Sequence, residues 1–367
     1  MIRVLQVLGS LQRGGAETMI MNIYRQIDRN KVQFDFLLKD HCDNGYEKEA
    51  ISMGANIYYV NSLKEIGFYA YIKQQSKIMR EGNYDVVHSH VNIMSGLSLT
   101  AAYLAGVKVR IAHSHSTNSS YGKIHVLIGK LLIKIFSTNN IACGTEAGQF
   151  LFGSDQFTII NNGIDTLKFC SAKKEDFEKL RSEIGIQNDS FIITHIGRFI
   201  PLKNHAFILN IARYLVSSKK DFHIFLLGDG ELKNHIENEI NNNGLNDYIT
   251  VTGSVENTDT YLKVSNLFLL PSLYEGLPVT LIEAQSTGVK CIVSDKVTTE
   301  ADLGVGLVEF LPLEVDLWAS KIIDLMKNIL VSNGNIGART NDVIPEYDIR
   351  NSARKIYELY SAAKEKV

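Results

Sequence analysis

Short β-branched runs alternate with helix-period segments along most of the chain, which is the pattern of an α/β protein with parallel sheets. The opening run Ile2–Leu8 predicts a strand. It enters a turn containing Gly9, Gly14 and Gly15, then a helix whose apolar positions Ala16, Met19, Ile20, Ile23 and Ile27 share one face. Further strands are expected at Val32–Leu38, Asn56–Val60, Asp85–His88, Val107–Ala112, Asn140–Cys143 and Thr158–Ile160. After Asn161-Asn162-Gly163-Ile164-Asp165 the alternation breaks, and 170–189 reads as a charged helix. A second series starts at Phe191–Ile196 and continues through His223–Leu227, Ile249–Thr252, Leu267–Leu270 and Cys291–Val293.

Strands of the second series run into small or polar residues: Gly197-Arg198, Gly228-Asp229-Gly230, Gly253-Ser254 and Pro271-Ser272. In a doubly wound sheet the carboxyl ends of the strands form the ligand crevice. The pattern therefore predicts two Rossmann-like domains facing across a cleft, with a boundary near 166–172. The expected division is 1–168, 169–347 and a C-terminal helix in 348–367 that packs back on the first domain. A length of 367 residues agrees, because a single core rarely grows past roughly 250–300.

Composition narrows the class. Hydrophobic residues make up 45% and charged residues 21%, as in a globular enzyme and too apolar for a disordered chain. Lys+Arg of 38 against Asp+Glu of 40 argues against a chain-wide grip on nucleic acid. The apolar run Val126–Phe136 is cut by Lys130 and Lys134, so no bilayer-spanning segment is expected, and the N-terminal run is too short for a signal peptide. Cys42, Cys143, Cys170 and Cys291 are scattered without a C-x-x-C, which reads as free thiols in a reducing cytoplasm.

The sharpest chemical feature is the stretch Pro271–Ala284, with Glu275 and Glu283 flanking a Gly276-Leu277-Pro278 turn into a helix. Pro278 should stand near the first helical turn. The helix N-terminus offers N–H groups and a positive dipole end to an anion. A carboxylate beside it can accept hydrogen bonds from sugar hydroxyls. By spacing alone, Glu275 as a cap and Glu283 in solvent is the commoner outcome. Arg198 and Lys203 follow a strand end and suit a diphosphate, although such a pair is more often a solvated loop. Neither Gly9–Glu17 nor Gly228–Gly230 fits the G-x-G-x-x-G dinucleotide fingerprint.

Two close histidine pairs, His88/His90 and His113/His115, stand at expected strand ends. They invite a zinc reading, but no acidic or cysteine partner stands at ligand spacing, so a polar hydrogen-bonding role is preferred and no metal is assigned. His195 reads as a strand residue. Segment 122–136 carries Lys123, Lys130 and Lys134 on or near one side, which suits either a helix lying on anionic lipid or an ordinary domain helix.

Taken together and in order, these pieces resemble the retaining GT-B glycosyltransferases of family GT4, most of all the subgroup that makes capsular and exopolysaccharide. The resemblance rests on Gly14-Gly15-Ala16-Glu17, His113-Ser114-His115-Ser116, Asn162-Gly163-Ile164-Asp165, Gly197-Arg198 with Lys203-Asn204, Gly228-Asp229-Gly230-Glu231, and Glu275-Gly276-Leu277-Pro278 through Glu283. It implies transfer of a sugar from a nucleotide sugar, UDP-linked by preference, to a glycan or polyprenyl-diphosphate-linked acceptor, with no separate cofactor.

By that resemblance Arg198 and Lys203 hold the donor diphosphate, and Glu283 takes the ribose hydroxyls. Glu275 with Gly276, Leu277 and Pro278 grips the sugar. Gly14 and Gly15 bring backbone near the phosphates, and the loop around Gly253 lies along the base. His115 and Glu275 are the catalytic candidates. His88, His90 and His113 are acceptor-side candidates. Such an enzyme would work in the cytoplasm, with a peripheral contact at the inner membrane face as a further expectation. Two rivals remain at this stage: an epimerase of the UDP-GlcNAc type with the same fold, and a non-catalytic partner subunit of a glycosyltransferase.

Overall fold

The computed structural model describes residues 1–43, 45–119, 121–170, 181–182, 190–331 and 345–365. The chain divides into two compact units, Met1–Ile164 with Pro345–Val367, and Asp165–Ile344. The division falls four residues before the expected 168/169, because the short helix Thr166–Cys170 packs against the helix Val279–Ser286 of the second unit. The return also comes earlier than 347/348. Ile164 N–H donates to Tyr347 O at 2.8 Å, and Ile349 N–H donates back to Ile164 O at 2.9 Å, tying Pro345–Tyr347 to the first unit. Most of the charged helix expected over 170–189 lies outside the described residues.

The first unit holds seven parallel strands: β1 (Ile2–Val7), β2 (Val32–Leu38), β3 (Ile57–Tyr59), β4 (Val86–Ser89), β5 (Val109–Ser114), β6 (Asn139–Ala142) and β7 (Thr158–Ile159). Their order is β3-β2-β1-β4-β5-β6-β7. The second unit holds β8 (Phe191–Ile196), β9 (Phe222–Leu227), β10 (Ile249–Gly253), β11 (Leu267–Leu270), β12 (Lys290–Ser294) and β13 (Val308–Leu311), in the order β10-β9-β8-β11-β12-β13. Each order reverses once, between β1 and β4 and between β8 and β11. Those are the topological switch points at which open α/β sheets bind ligands.

Burial on both faces explains why these strands read as apolar runs. Along β2, Phe34, Phe36 and Leu38 enter one core layer while Leu37 enters the opposite one. The helix Gly15–Gln26 and the C-terminal helix Ile349–Glu365 cover the first layer, with Ile356 and Tyr360 buried in it. In the second unit all of β11 is buried, and Trp318 packs edge-on against Phe207 at 5.2 Å while its Nε1–H donates to Pro312 O. Each such large side chain contributes about 1.5–3 kcal/mol through removal from water.

Only β13 lacked a sequence signal, because each of its four residues is half-buried at the sheet edge. Ile208, fully buried on the helix His205–Ser217, tests the packing of the second unit. Ile208→Ala should lower stability by about 2–5 kcal/mol, read as an earlier denaturant midpoint in the fluorescence of the single tryptophan, Trp318.

Candidate functional site

At the switch point of the second unit, the loops after β8 and β11 are locked together. Pro201–Lys203 forms one 3-10 turn, and Asn204 takes the left-handed conformation (φ 56°) that asparagine tolerates. Asn204 Nδ2 donates to Pro271 O at 3.1 Å, and Leu273 N–H donates to Leu202 O at 2.8 Å. Glycine is required beneath this corner. Gly228 (φ +140°) and Gly230 (φ +156°) let the β9 loop press onto the Gly197–Phe199 backbone, where a Cβ at Gly230 would lie 2.7 Å from Phe199 O. Here the Gly-Asp-Gly element serves loop packing.

The lock brings Lys203 and Glu275 into contact. The Lys203 ammonium bonds Glu275 Oε1, which also accepts from Ser272 Oγ at 2.9 Å, and both charged side chains are only 14% exposed. The lysine stem runs over Gly197, where a Cβ would sit 3.1 Å from Lys203 Cδ and 3.1 Å from His195 Nε2. The two groups, expected to hold phosphate and sugar respectively, are thus in direct contact with each other. Arg198 is exposed, and no described carboxylate pairs with it.

Pro278 is the N-cap of the helix Val279–Ser286, next to its first turn as expected, and makes no side-chain cap. Thr280, in that turn, has a buried hydroxyl with no partner. Glu275, Gly276 and Leu277 are half-buried before it. Glu283 follows on the second turn. Its carboxyl is withdrawn from water and its pKa is pushed up to about 7 by burial, with Asp259 adding to the rise and Lys168 opposing it. Lys168 Nζ bonds Asp259 at 3.2 Å and donates to Glu256 O at 3.1 Å, and Lys263 also pairs with Asp259 at 2.9 Å. Gly253 (φ +73°) ends β10, and its carbonyl accepts from Gly228 N–H.

Thr280, Lys168 and Asp259 were not singled out from sequence. Only Thr280 had an available signal, its place two residues beyond Pro278.

In the first unit, Gly14 caps the helix Gly15–Gln26 without a side-chain bond, and Gly15 faces open space. Glu17 folds its carboxylate back over Gly14, and a Cβ there would make that side chain move aside. The four histidines gather at the ends of β4 and β5, beside the switch point. His88 Nε2 meets His113 Nδ1 at 3.1 Å, and His90 Nδ1 meets His115 Nε2 at 2.9 Å. Gln6 from β1 and Tyr360 from the C-terminal helix hold the outer nitrogens of His90 and His88. Nitrogens of His88, His90 and His113 lie within 4.8 Å of one another. The nitrogens that face one another make imidazole–imidazole bonds, while His113 Nε2 and His115 Nδ1 are buried without a hydrogen-bond partner.

The helix Lys123–Phe136 docks through Gly129, where a Cβ would lie 2.6 Å from Ile93 O. Its outer side is apolar: Ile124 is 73% and Leu127 70% exposed, with Ile128, Leu131 and Ile135 beside them. Lys134 pairs with Asp155 at 2.8 Å, and the Lys130 ammonium lies over the Phe150 ring at 4.6 Å. Among the described residues no helix is long and apolar enough to cross a membrane.

Two Rossmann-like halves with these strand orders define the GT-B class of glycosyltransferases. The chain belongs to the glycosyltransferase family itself: residues 13–167 match "Glycosyltransferase Family 4" and residues 176–328 match "Glycosyl transferases group 1". It is 38% identical to the putative glycosyltransferase EpsF of Bacillus subtilis over 87% of this chain and 86% of that protein. It is 32% identical to the capsular polysaccharide biosynthesis glycosyltransferase CapH of Staphylococcus aureus, over 98% and 99%. A third relative is the Escherichia coli UDP-Gal:alpha-D-GlcNAc-diphosphoundecaprenol alpha-1,3-galactosyltransferase, 27% identical over 98% and 95%. The fold matches that of Anabaena HepE in complex with UDP and glucose, with a TM-score of 0.81 at 16% identity over 99% of this chain and 100% of that one.

The histidine cluster makes the first unit sensitive to acid. Burial pushes the pKa of His88 down to about 3 and that of His115 to about 4, and holds His90 and His113 well below the usual value. Above pH 6.5 these rings are neutral whether the chain is folded or not. As the pH falls below that value, the unfolded chain binds protons that the folded chain refuses, so stability drops. By pH 5 His88 alone should subtract about 2 kcal/mol. Denaturant midpoints followed by far-UV signal at pH 7.5 and pH 5 check this, and a folded state equally stable at both would contradict it.

Proposed function

We propose that this glycosyltransferase moves a sugar, with retention of anomeric configuration, from a UDP-sugar to a glycan or lipid-diphosphate-linked acceptor in the assembly of a surface polysaccharide. The carrying observation is the Lys203–Glu275 contact at the β8/β11 switch point, beside an uncapped helix N-terminus and the exposed Arg198. A diphosphate fits the cations and the helix-end N–H groups, and the Thr280 hydroxyl has a free bond to offer. Glu275 accepts from sugar hydroxyls and Glu283 from the ribose. A UDP-bound neighbour and a relative acting on a lipid diphosphate support the two substrate classes.

The chemistry needs charge compensation at the leaving group. As the bond from the anomeric carbon to the diphosphate oxygen breaks, Arg198, Lys203 and the helix amides stabilise the released charge. The acceptor oxygen bonds the same carbon from the same face, and its proton passes to the departing phosphate oxygen. His115, neutral at working pH, offers a ring nitrogen to a substrate hydroxyl. No metal is assigned a step.

Glu283 supplies a pH signature for nucleotide binding. Accepting ribose hydroxyls favours its carboxylate form, so binding expels the proton that burial retains up to about pH 7. UDP affinity should therefore rise as the pH goes from 6 to 7.5, by at most tenfold per unit, and then level off. Calorimetry in chelator with the full chain reads this directly. Glu283→Gln should bind weakly at every pH, Lys203→Ala should lose affinity and transfer together, and Glu275→Gln should keep UDP and lose transfer from a UDP-sugar. A strict Mg²⁺ requirement, or a preference for GDP, overturns the donor assignment.

The acceptor reading includes a peripheral membrane contact through the ridge Ile124, Leu127, Ile128, Leu131 and Ile135, with Lys123 at its end. Apolar insertion then does most of the binding, and the lysines add a salt-sensitive part. Leu127→Glu should abolish sedimentation with anionic vesicles at low and high salt while leaving UDP binding intact. Lys123→Glu should weaken it at low salt only. Sedimentation unchanged in Leu127→Glu removes the ridge from the reading.

A further inference from the structure

Apart from the donor site, the second unit has a groove of about 310 Å³ between the helices His205–Ser217 and Lys233–Asn242. The turn Pro201–Lys203 separates the two. Pro201 and Asn204 line the groove, while Lys203 bonds Glu275. Lys203, Glu275, Thr280 and Glu283 are not among the described residues that line it. Leu209, Leu232 and Ile236 supply an apolar floor.

Both helices begin at this groove. Their N-caps, Asn204 and Leu232, make no side-chain cap, and the Asn204 carboxamide is spent on Pro271 O. Leu232 N–H donates to Phe199 O at 2.9 Å, which ties the second helix start to the loop that leads into the first. Two positive helix ends therefore open on one groove. His205, the first residue of its helix, is 2% exposed and lines the groove there. Its ring stacks on Phe199 at 4.0 Å and meets His195 edge-on at 4.8 Å. Neither ring nitrogen has a hydrogen-bond partner, and burial holds the ring neutral by lowering its pKa to about 4. A neutral imidazole still carries one N–H, and a buried donor left unpaired is costly. Stacking alone would be served by an apolar ring, so the imidazole points to an acceptor that arrives from outside.

The far end has different chemistry. Arg213 stands about two turns along the first helix, roughly 12 Å from His205 by helix rise, exposed and in no described ion pair. Asn210 and Glu239 line the groove as well. A carboxylate repels a second anion, whereas Arg, Asn and Glu together suit hydroxyl groups, which both donate and accept.

We propose that this groove is a second ligand site, for the phosphate monoester of a sugar. The phosphate lies at the two helix starts and His205, and the sugar hydroxyls lie at Asn210, Arg213 and Glu239. The inference does not depend on what Lys203 and Glu275 bind.

Calorimetry on the full chain, with and without saturating UDP, tests this. Glucose 6-phosphate, glucose 1-phosphate and N-acetylglucosamine 6-phosphate are the probes, with glucose and inorganic phosphate as controls. At least one sugar phosphate should bind at one per chain, about tenfold or more tighter than either control, and should do so with UDP present. Ala206→Glu sets a carboxylate at the phosphate end without harming the helix, whose first turn favours an acidic residue. It should abolish the binding. Arg213→Gln should weaken it about tenfold, and both variants should keep the wild-type affinity for UDP. In NMR of histidine-labelled chain, the His205 ring signal should move on adding the sugar phosphate, and should stay fixed in Ala206→Glu.

No uptake of any sugar phosphate overturns the proposal, as does uptake that UDP displaces or that both variants leave unchanged. Glucose or inorganic phosphate bound as tightly as the sugar phosphates overturns it too. A His205 signal that stays fixed in the wild type while binding is measured places the ligand elsewhere and has the same force.

Discussion

A parallel sheet covered on both faces can expose polar groups only at its strand ends, and most of the candidate site follows from that constraint. In each unit the strands between the two helical layers are buried, so a charged side chain within them would lose its hydration without a partner. Lys203, Glu275 and Arg198 accordingly sit in the loops that leave β8 and β11, where the strand order reverses. At that reversal the two neighbouring chain segments depart to opposite faces, and the gap between them exposes backbone N–H groups. The first unit has the same reversal between β1 and β4, and its imidazoles gather there.

Much of this arrangement was legible in the sequence because it is local. Buried strands declare themselves as β-branched runs, and the loops after them as small and polar residues. What was not legible depends on contacts between distant positions. Gln6 and Tyr360 meet across 354 positions of chain, so nothing near either residue announces the pairing. Lys168 and Asp259 looked like ordinary surface charges until packing placed both beside Glu283. In sequence the lysines of 122–136 suit a lipid contact or an ordinary helix equally, and they stand out because charge is conspicuous. Only the docking of Gly129 shows which side of that helix is left outside, and that side is apolar. The edge strand β13 escaped for the opposite reason: without a buried face it has no run to detect.

The two halves manage ionisation differently. In the first, burial suppresses charge: four imidazoles are held neutral and joined by bonds that need one donor and one acceptor at each contact. Such a set resists protonation at its inner rings, because a charged His90 would donate from both nitrogens and both of its bonds would have to find acceptors. In the second unit charge is kept and paired, with Lys168 and Lys263 sharing Asp259 and leaving Glu283 as the group with a depleted hydration shell. A neutral set suits orientation of a hydroxyl. A charged set suits a ligand that itself carries charge.

The Lys203–Glu275 pair shows how charge is held at this depth. An isolated ammonium here would lose several kcal/mol of hydration, on the order of what a buried ion forfeits. Glu275 offsets that loss by remaining within bonding distance, and Ser272 steadies the carboxylate oxygen that Lys203 uses. In the function proposed above, a diphosphate beside Lys203 meets a cation fixed by its stem against Gly197. The phosphate charge then competes with Glu275 for the same ammonium. As that hold weakens, the carboxylate regains acceptor capacity for sugar hydroxyls. The proposed roles of the two residues are thereby coupled through their one contact.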